Sequence, residues 1–365
     1  MSSSVHQSVH QDAHRDRGVG LRTRLHYSMY ASELGFRVLQ GHRRLTHWGA
    51  RKQRTLAGKA LIKRTGCPVK IDPELGYRWI EPGELPGMDA LIRSCDGVID
   101  EARPHLPRLE AEAPGRYRIA FDLLGDDGLD DRPELVDAMV SDELLACVSD
   151  YLGGVPLLRR AAVGYSPGQE QPDGGPWAGS QLFHFDGEDD RQIKVFVLLS
   201  DVEDERDGPL TFLPAAASRE AVRRLGSRPA GPVGSYMRAG PYTDEEVRQV
   251  VDPADLVTMT GKRGRILLLD TSTTLHQGSR VHHGRERTVF MGVFQRFDLV
   301  HETPFNWIDA SRFPAASPQA LALTPPRSIP RNFFFPDPLA PRSAASRRGA
   351  ALDREQGVPP RPTAA

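Results

Sequence analysis

Apolar positions follow two regimes along this chain, and the change falls at Gly153. Before it the spacing is helical. In 87–102, Met88, Leu91, Ile92, Cys95, Val98 and Ile99 recur at the i, i+3, i+4, i+7 interval. With Pro104 just past its end, this segment predicts one amphipathic helix. A second helix is predicted over 142–152, with Ser141 as N-cap and Gly153 as its C-terminal stop. Farther upstream, Leu21, Leu25, Tyr30, Leu34, Phe36 and Leu39 are scattered through 21–66, enough for one or two amphipathic helices.

After Gly153 short β-rich runs alternate with turns rich in Gly, Pro and Asp. They lie at 156–165, 181–186, 192–200, 209–213, 265–270, 273–277 and 287–297. That spacing predicts an antiparallel sandwich or barrel. Ile193–Leu199 carries apolar residues on both faces, as a strand inside a double sheet does. The organisation that follows is a basic arm (1–66), a helical lead-in (67–153) and a mainly β domain (154–335) with a Gly/Pro-rich insert at 219–261. The ends, 1–20 and 336–365, have the composition of disordered segments.

Composition narrows the function classes. The chain has 365 residues, 39% hydrophobic and 26% charged, which is ordinary for a soluble globular protein. A net charge of −1 gives no overall field that would attract nucleic acid. The charge is uneven: residues 13–64 hold 13 Lys/Arg against Asp16 and Glu33, a local +11 that the remainder balances with −12. That arm reads either as a solvated helical segment packed on the main domain or as a contact for an anionic surface. Cys67, Cys95 and Cys147 are widely spaced and form no CxxC pair, so a reducing cytoplasm is expected. No apolar run of 18 residues suggests a membrane span, and the first residues lack the apolar core of a secretory signal.

Candidate chemistry centres on His184-Phe185-Asp186. On a strand, His184 and Asp186 point to one side and Phe185 to the other. Two imidazoles and one carboxylate hold a non-haem Fe(II) on one face and leave three positions open. The third ligand is assigned to His276, read as the close of a β segment Ile266–His276. A jelly roll brings strands ninety residues apart together in this way. His282 and His283 compete for that role, but they sit in a presumed turn beside Gly284 and read as solvated loop residues.

Arg287 opens a β run, Arg287–Phe297, after a polar hairpin at Val281–Glu286. The hairpin is expected to fold that run against the strand bearing His276, so that the guanidinium reaches the same cavity. A buried arginine needs an anion, and the far carboxylate of 2-oxoglutarate is one. Arg285 is the runner-up. Lys194 interrupts an otherwise apolar strand and is expected either to assist 2-oxoglutarate or substrate, or to snorkel to solvent.

These residues resemble the phytanoyl-CoA dioxygenase family of Fe(II)/2-oxoglutarate oxygenases. The likeness is carried by four pieces: His184-Phe185-Asp186 with Gln192–Val202; Gly208-Pro209-Leu210-Thr211-Phe212-Leu213-Pro214; Gly264–Asp270 running to His276; and Arg287, eleven residues past that histidine. It covers about 155–298. Where family members often have Pro-Gly-Ser-His, this chain reads Pro214-Ala215-Ala216-Ala217-Ser218. The resemblance implies a double-stranded β-helix, Fe(II) on His184, Asp186 and His276, and 2-oxoglutarate and O₂ as co-substrates. It also implies hydroxylation of a small molecule with release of succinate and CO₂. An aspartate at 186, not a small residue, favours hydroxylation over halogenation. Two rival readings remain: a cupin-type isomerase or lyase using the same metal without 2-oxoglutarate, and a non-catalytic jelly-roll binding protein working through its basic arm.

Overall fold

The computed structural model describes residues 33–112, 120–124, 129, 132–169, 177, 179–187, 190–226, 240–298 and 308–324. The ends expected to be disordered, most of the acid run at 188–190 and the middle of the 219–261 insert lie outside the described residues. Among the described residues, nine strands form two antiparallel sheets: β1 (Tyr77–Ile80), β2 (Phe121–Asp122), β3 (Leu157–Pro167), β4 (Gln192–Leu198), β5 (Thr211–Phe212), β6 (Val257–Thr258), β7 (Ile266–Leu269), β8 (His276–Gln277) and β9 (Glu286–Gln295). The larger sheet runs β1-β7-β4-β9-β3-β2 and the smaller β6-β5-β8. Single bridges, His184 to His276 and Phe183 to Tyr242, extend the smaller sheet beyond β8. From β3 to β9 the chain keeps returning from one sheet to the other, which is the winding of a double-stranded β-helix.

The double apolar face of β4 explains the layering. Ile193, Val195 and Val197 join Ile266, Leu268, Phe290 and Phe294 in a core shared with the helical residues Leu91, Cys95, Leu144 and Val148. The opposite face, Phe196 and Leu198 with Leu267, Leu269 and Val289, packs on Phe212, Val257 and Met259 of the smaller sheet. Residues alternate between these layers along each strand. Lys194 shares the inward face with Phe196, and Arg287 shares it with Val289.

The two helices expected upstream of the β region form at Met88–Ala102 and Asp142–Leu152. Ser141 occupies the N-cap as expected, but its side chain makes no capping hydrogen bond. All three cysteines are buried free thiols. The basic segment contains two helices, Glu33–Thr46 and Trp48–Thr65. Arg54, 2% exposed, ties the second one down. It donates to Val155 O at 3.1 Å, Pro156 O at 3.3 Å and Thr324 O at 2.6 Å. Removing it would leave three carbonyl contacts unmade, two of them buried. Arg54→Ala is therefore expected to lower unfolding stability by about 3 kcal/mol in a urea titration.

Two expectations about the strands are corrected. Ile266–His276 is not one β segment: Ile266–Leu269 lies in the larger sheet and His276–Gln277 in the smaller. The crossing between them turns on Asp270. Its backbone oxygen accepts from Thr273 N, Thr274 N and Thr274 Oγ1. Its carboxylate accepts from Tyr151 Oη at 2.7 Å and Ser272 N at 3.1 Å. Burial pushes this carboxyl up to about 6. The native state therefore holds the proton more tightly than the unfolded chain does, so this contribution is full below about pH 4 and lost as pH rises through about 6. Wild type should lose on the order of 3 kcal/mol across that window relative to Asp270→Asn, read from urea midpoints at each pH.

The second correction concerns β9. Its ladder partners are β4 and β3, with Val293 opposite Lys194 and Arg287 opposite Ser166. It does not pair with the strand carrying His276. Arg287 still faces the space between the sheets, but from the opposite wall.

Candidate metal centre

The bridge between His184 and His276 is a reciprocal backbone pair, with N–O distances of 2.9 and 3.0 Å. Directly opposed residues share a face, so both imidazoles point inward with their ring centroids 4.4 Å apart. Asp186 arrives two residues later on the same side. Its backbone N donates to Thr271 O at 3.0 Å, which fixes the approach of the carboxylate. One donor atom from each of the three side chains falls within 4.8 Å of the others. Two ligands of a single ion, each about 2.1 Å from it, lie roughly 3 to 4 Å apart. Asp186 is 4.0 Å from His184 Nε2 and 3.8 Å from His276 Nε2.

Backbone carbonyls set both tautomers. His184 Nδ1 is 2.8 Å from Leu182 O, and His276 Nδ1 is 2.9 Å from Thr274 O. A carbonyl oxygen only accepts, so each Nδ1 carries the proton and each Nε2 turns a lone pair toward the shared point. Burial lowers His276 to about 3, with His184 adding to the effect, so the ring stays neutral. Burial alone would raise the Asp186 carboxyl, but Lys194, His276 and His184 together hold it well below the ordinary carboxylate range. Two imidazoles that turn Nε2 toward one point beside an ionised carboxylate are a divalent-metal donor set.

Lys194 lies against that carboxylate, its Nζ 2.7 Å from Asp186 Oδ2.

Arg287 is 8% exposed. One amino group donates to Gly208 O, and Nη2 donates to Ser279 Oγ at 2.9 Å. Its Nε is buried without a partner. Burial pulls the guanidinium down to about 10, so it remains cationic at neutral pH. A buried cation with an unfilled donor edge is arranged to receive a carboxylate in fork geometry. Gly208 is required where it stands. Its φ is +63°, and a Cβ there would lie 2.5 Å from Val281 N.

The remaining candidates take other places. Arg285 pairs with Asp207 at 3.1 Å, and its side chain is 40% exposed. His282 and His283 are exposed. Phe183 and Phe185 point away from the metal centre and pack with Leu213, Tyr242 and Leu275 behind the smaller sheet. The insert, expected over the cavity mouth, contributes Ala221 and Val247 to that same outer layer. A cavity of about 360 Å³ lies there too, bounded by Trp177, Gln277 and Arg280. The ligand histidines do not line it. Sequence reasoning missed the supports of Arg287, namely Gly208 O and Ser279. Ser279 sits at φ +62° in a Gly-Ser-Arg turn, a strained position that only backbone geometry reveals.

No protein-family model and no curated protein matches the chain. Solved structures similar to it include HygX from Streptomyces hygroscopicus with nickel and 2-oxoglutarate bound. That match is 16% identical, with TM-score 0.35, covering 61% of this chain and 83% of that one. EctD from S. alaskensis with 2-oxoglutarate and 5-hydroxyectoine is 14% identical, with TM-score 0.40 and coverage of 62% and 82%. The non-heme monooxygenase ThoJ in its apo form is 13% identical, with TM-score 0.41 and coverage of 78% and 95%.

Proposed function

We propose that the protein is an Fe(II)/2-oxoglutarate-dependent oxygenase, similar to the phytanoyl-CoA dioxygenase family, that hydroxylates a C–H bond of a small molecule. One observation carries the reading. The inward space holds a His184-Asp186-His276 donor set with both Nε2 lone pairs presented, and facing it a buried Arg287 whose Nε has no partner. Bound iron(II) supplies O₂ activation coupled to oxidative decarboxylation of 2-oxoglutarate to succinate and CO₂.

The chain's own residues do the positioning. His184 and His276 are oriented through Leu182 O and Thr274 O. Asp186 brings one negative charge. Arg287 grips the far carboxylate of the co-substrate, so that its 2-oxo acid end is presented to the metal. Phe196, Leu198, Leu267 and Val289 keep the surrounding wall apolar and limit water. A cupin-type isomerase or lyase would leave Arg287 without a use.

The test is anaerobic mixing of the apoprotein with Fe(II) and 2-oxoglutarate. A weak visible charge-transfer band is expected, followed by succinate when O₂ is admitted. Absence of both band and succinate would sink the reading.

A further inference from the structure

Lys194 is not used by that machinery. It lies on the inward face of β4 with its side chain 19% exposed, and its ammonium sits 2.7 Å from Asp186 Oδ2. A lysine between two sheets requires an anion in reach. Without a metal, Asp186 is that anion. A divalent ion held by Asp186 and the two histidines takes over the same carboxylate and leaves the ammonium under-compensated.

The charges facing this space, among the described residues, make the deficit explicit. Lys194 and Arg287 are two cations against the one carboxylate of Asp186. On the iron/2-oxoglutarate reading, which this inference rests on, the ion's two positive charges and the co-substrate's two negative charges cancel. One positive charge is left. Nor does 2-oxoglutarate answer it with its far carboxylate. Lys194 stands opposite Val293 on β9, and Arg287 lies six residues earlier on that strand. At about 3.4 Å per residue their Cα atoms lie roughly 20 Å apart along the strand, a span that the two side chains and the co-substrate between them would fill. A five-carbon diacid reaching from the metal to Arg287 extends away from Lys194.

We propose that Lys194 receives a carboxylate of the substrate, so that the molecule oxidised here is an organic acid anchored by its anion beside the metal. A single unmatched charge suits a carboxylate better than a phosphate monoester, which carries about −1.5 to −2 at neutral pH. The Lys194 side chain is 19% exposed and so is not sealed off from solvent.

The test uses the full chain loaded with Co(II) and 2-oxoglutarate without oxygen, titrated with butyrate, butyramide and propyl phosphate. The Co(II) visible spectrum and calorimetry are the readouts. Butyrate is expected to bind wild type roughly tenfold more tightly than its neutral amide, and no more weakly than propyl phosphate. Compared at saturating Co(II) and 2-oxoglutarate, Lys194→Met should erase the preference for the anion, and Lys194→Arg should retain it. Equal binding of acid and amide to wild type, or a preference that survives in Lys194→Met, overturns the proposal and leaves Lys194 as a positioning partner of Asp186. Tighter binding of propyl phosphate reassigns the anion and overturns the carboxylate. Failure of wild type to form the 2-oxoglutarate complex at all is separate, and counts against the iron/2-oxoglutarate reading itself.

Discussion

His276→Ala is expected to abolish the anaerobic charge-transfer band and to cut succinate formation by roughly a thousandfold or more, because a metal ion supplies several kcal/mol of transition-state stabilisation. On the proposed reading, His276 is the ligand whose loss is hardest to replace. It is 4% exposed, so no solvent-side donor can swing into its position. It is held neutral, and its Nε2 is aimed by Thr274 O. Two remaining ligands would hold iron weakly and without a fixed face. The fold should persist, since the backbone pair with His184 does not involve the imidazole. Bound iron measured by elemental analysis should fall with activity, while the far-ultraviolet dichroism stays native. Retained iron and succinate in His276→Ala would show that the centre lies elsewhere. Asp186→Ala should lose iron equally but differ in one respect: Lys194 is then left without the anion it now faces at 2.7 Å. That variant is expected to be less stable than His276→Ala by about 1–3 kcal/mol.

The grouping of His184 with Asp186 was legible because its signal is local: a spacing of two in extended chain puts both side chains on one side, although the structure forms only single bridges at Phe183 and His184 and no strand over 181–186. The layering was legible for a similar reason: Ile193–Leu199 has no polar face to give to solvent apart from Lys194. The route taken by the chain was not legible. The apolar run Ile266–Leu269 and the run ending at His276 are separated by a threonine-rich turn held by hydrogen bonds to Asp270 inside the protein. Asp270 closes that turn by bonding to Tyr151, more than a hundred residues away in sequence. Periodicity reports which face a residue takes, not which sheet its strand joins. Arg287 illustrates the distinction. Its facing was read correctly, while its neighbour was wrong, because β9 pairs with β3 and β4. The helix Ala215–Leu225 escaped notice because the face it buries is made of Ala215, Ser218 and Ala221, too small and polar to register as an apolar stripe.

The second large effect concerns Arg287. Arg287→Met is expected to raise the apparent KM for 2-oxoglutarate by roughly a hundredfold, about 3 kcal/mol, the range for truncating one side of a buried charge pair. Iron binding should be unchanged, because no ligand atom touches this residue. The separation between the two readouts is what identifies the role. A guanidinium that served only to join Gly208 and Ser279 would lower stability on removal and leave the dependence on 2-oxoglutarate alone. A guanidinium that binds the co-substrate moves KM first. Arg287→Lys supplies the finer comparison. An ammonium keeps the charge but has no fork, so it should recover part of the affinity, with KM between wild type and the methionine variant. Ser279→Ala removes the bond that steadies Nη2, at 2.9 Å, along with a weak 3.5 Å bond from Ser166 Oγ, and should raise KM by less than about tenfold. The measurement is a titration of the charge-transfer band with 2-oxoglutarate in each variant, alongside urea midpoints. A methionine variant whose titration overlays that of wild type would remove Arg287 from the co-substrate site and reopen the readings in which the metal works without 2-oxoglutarate.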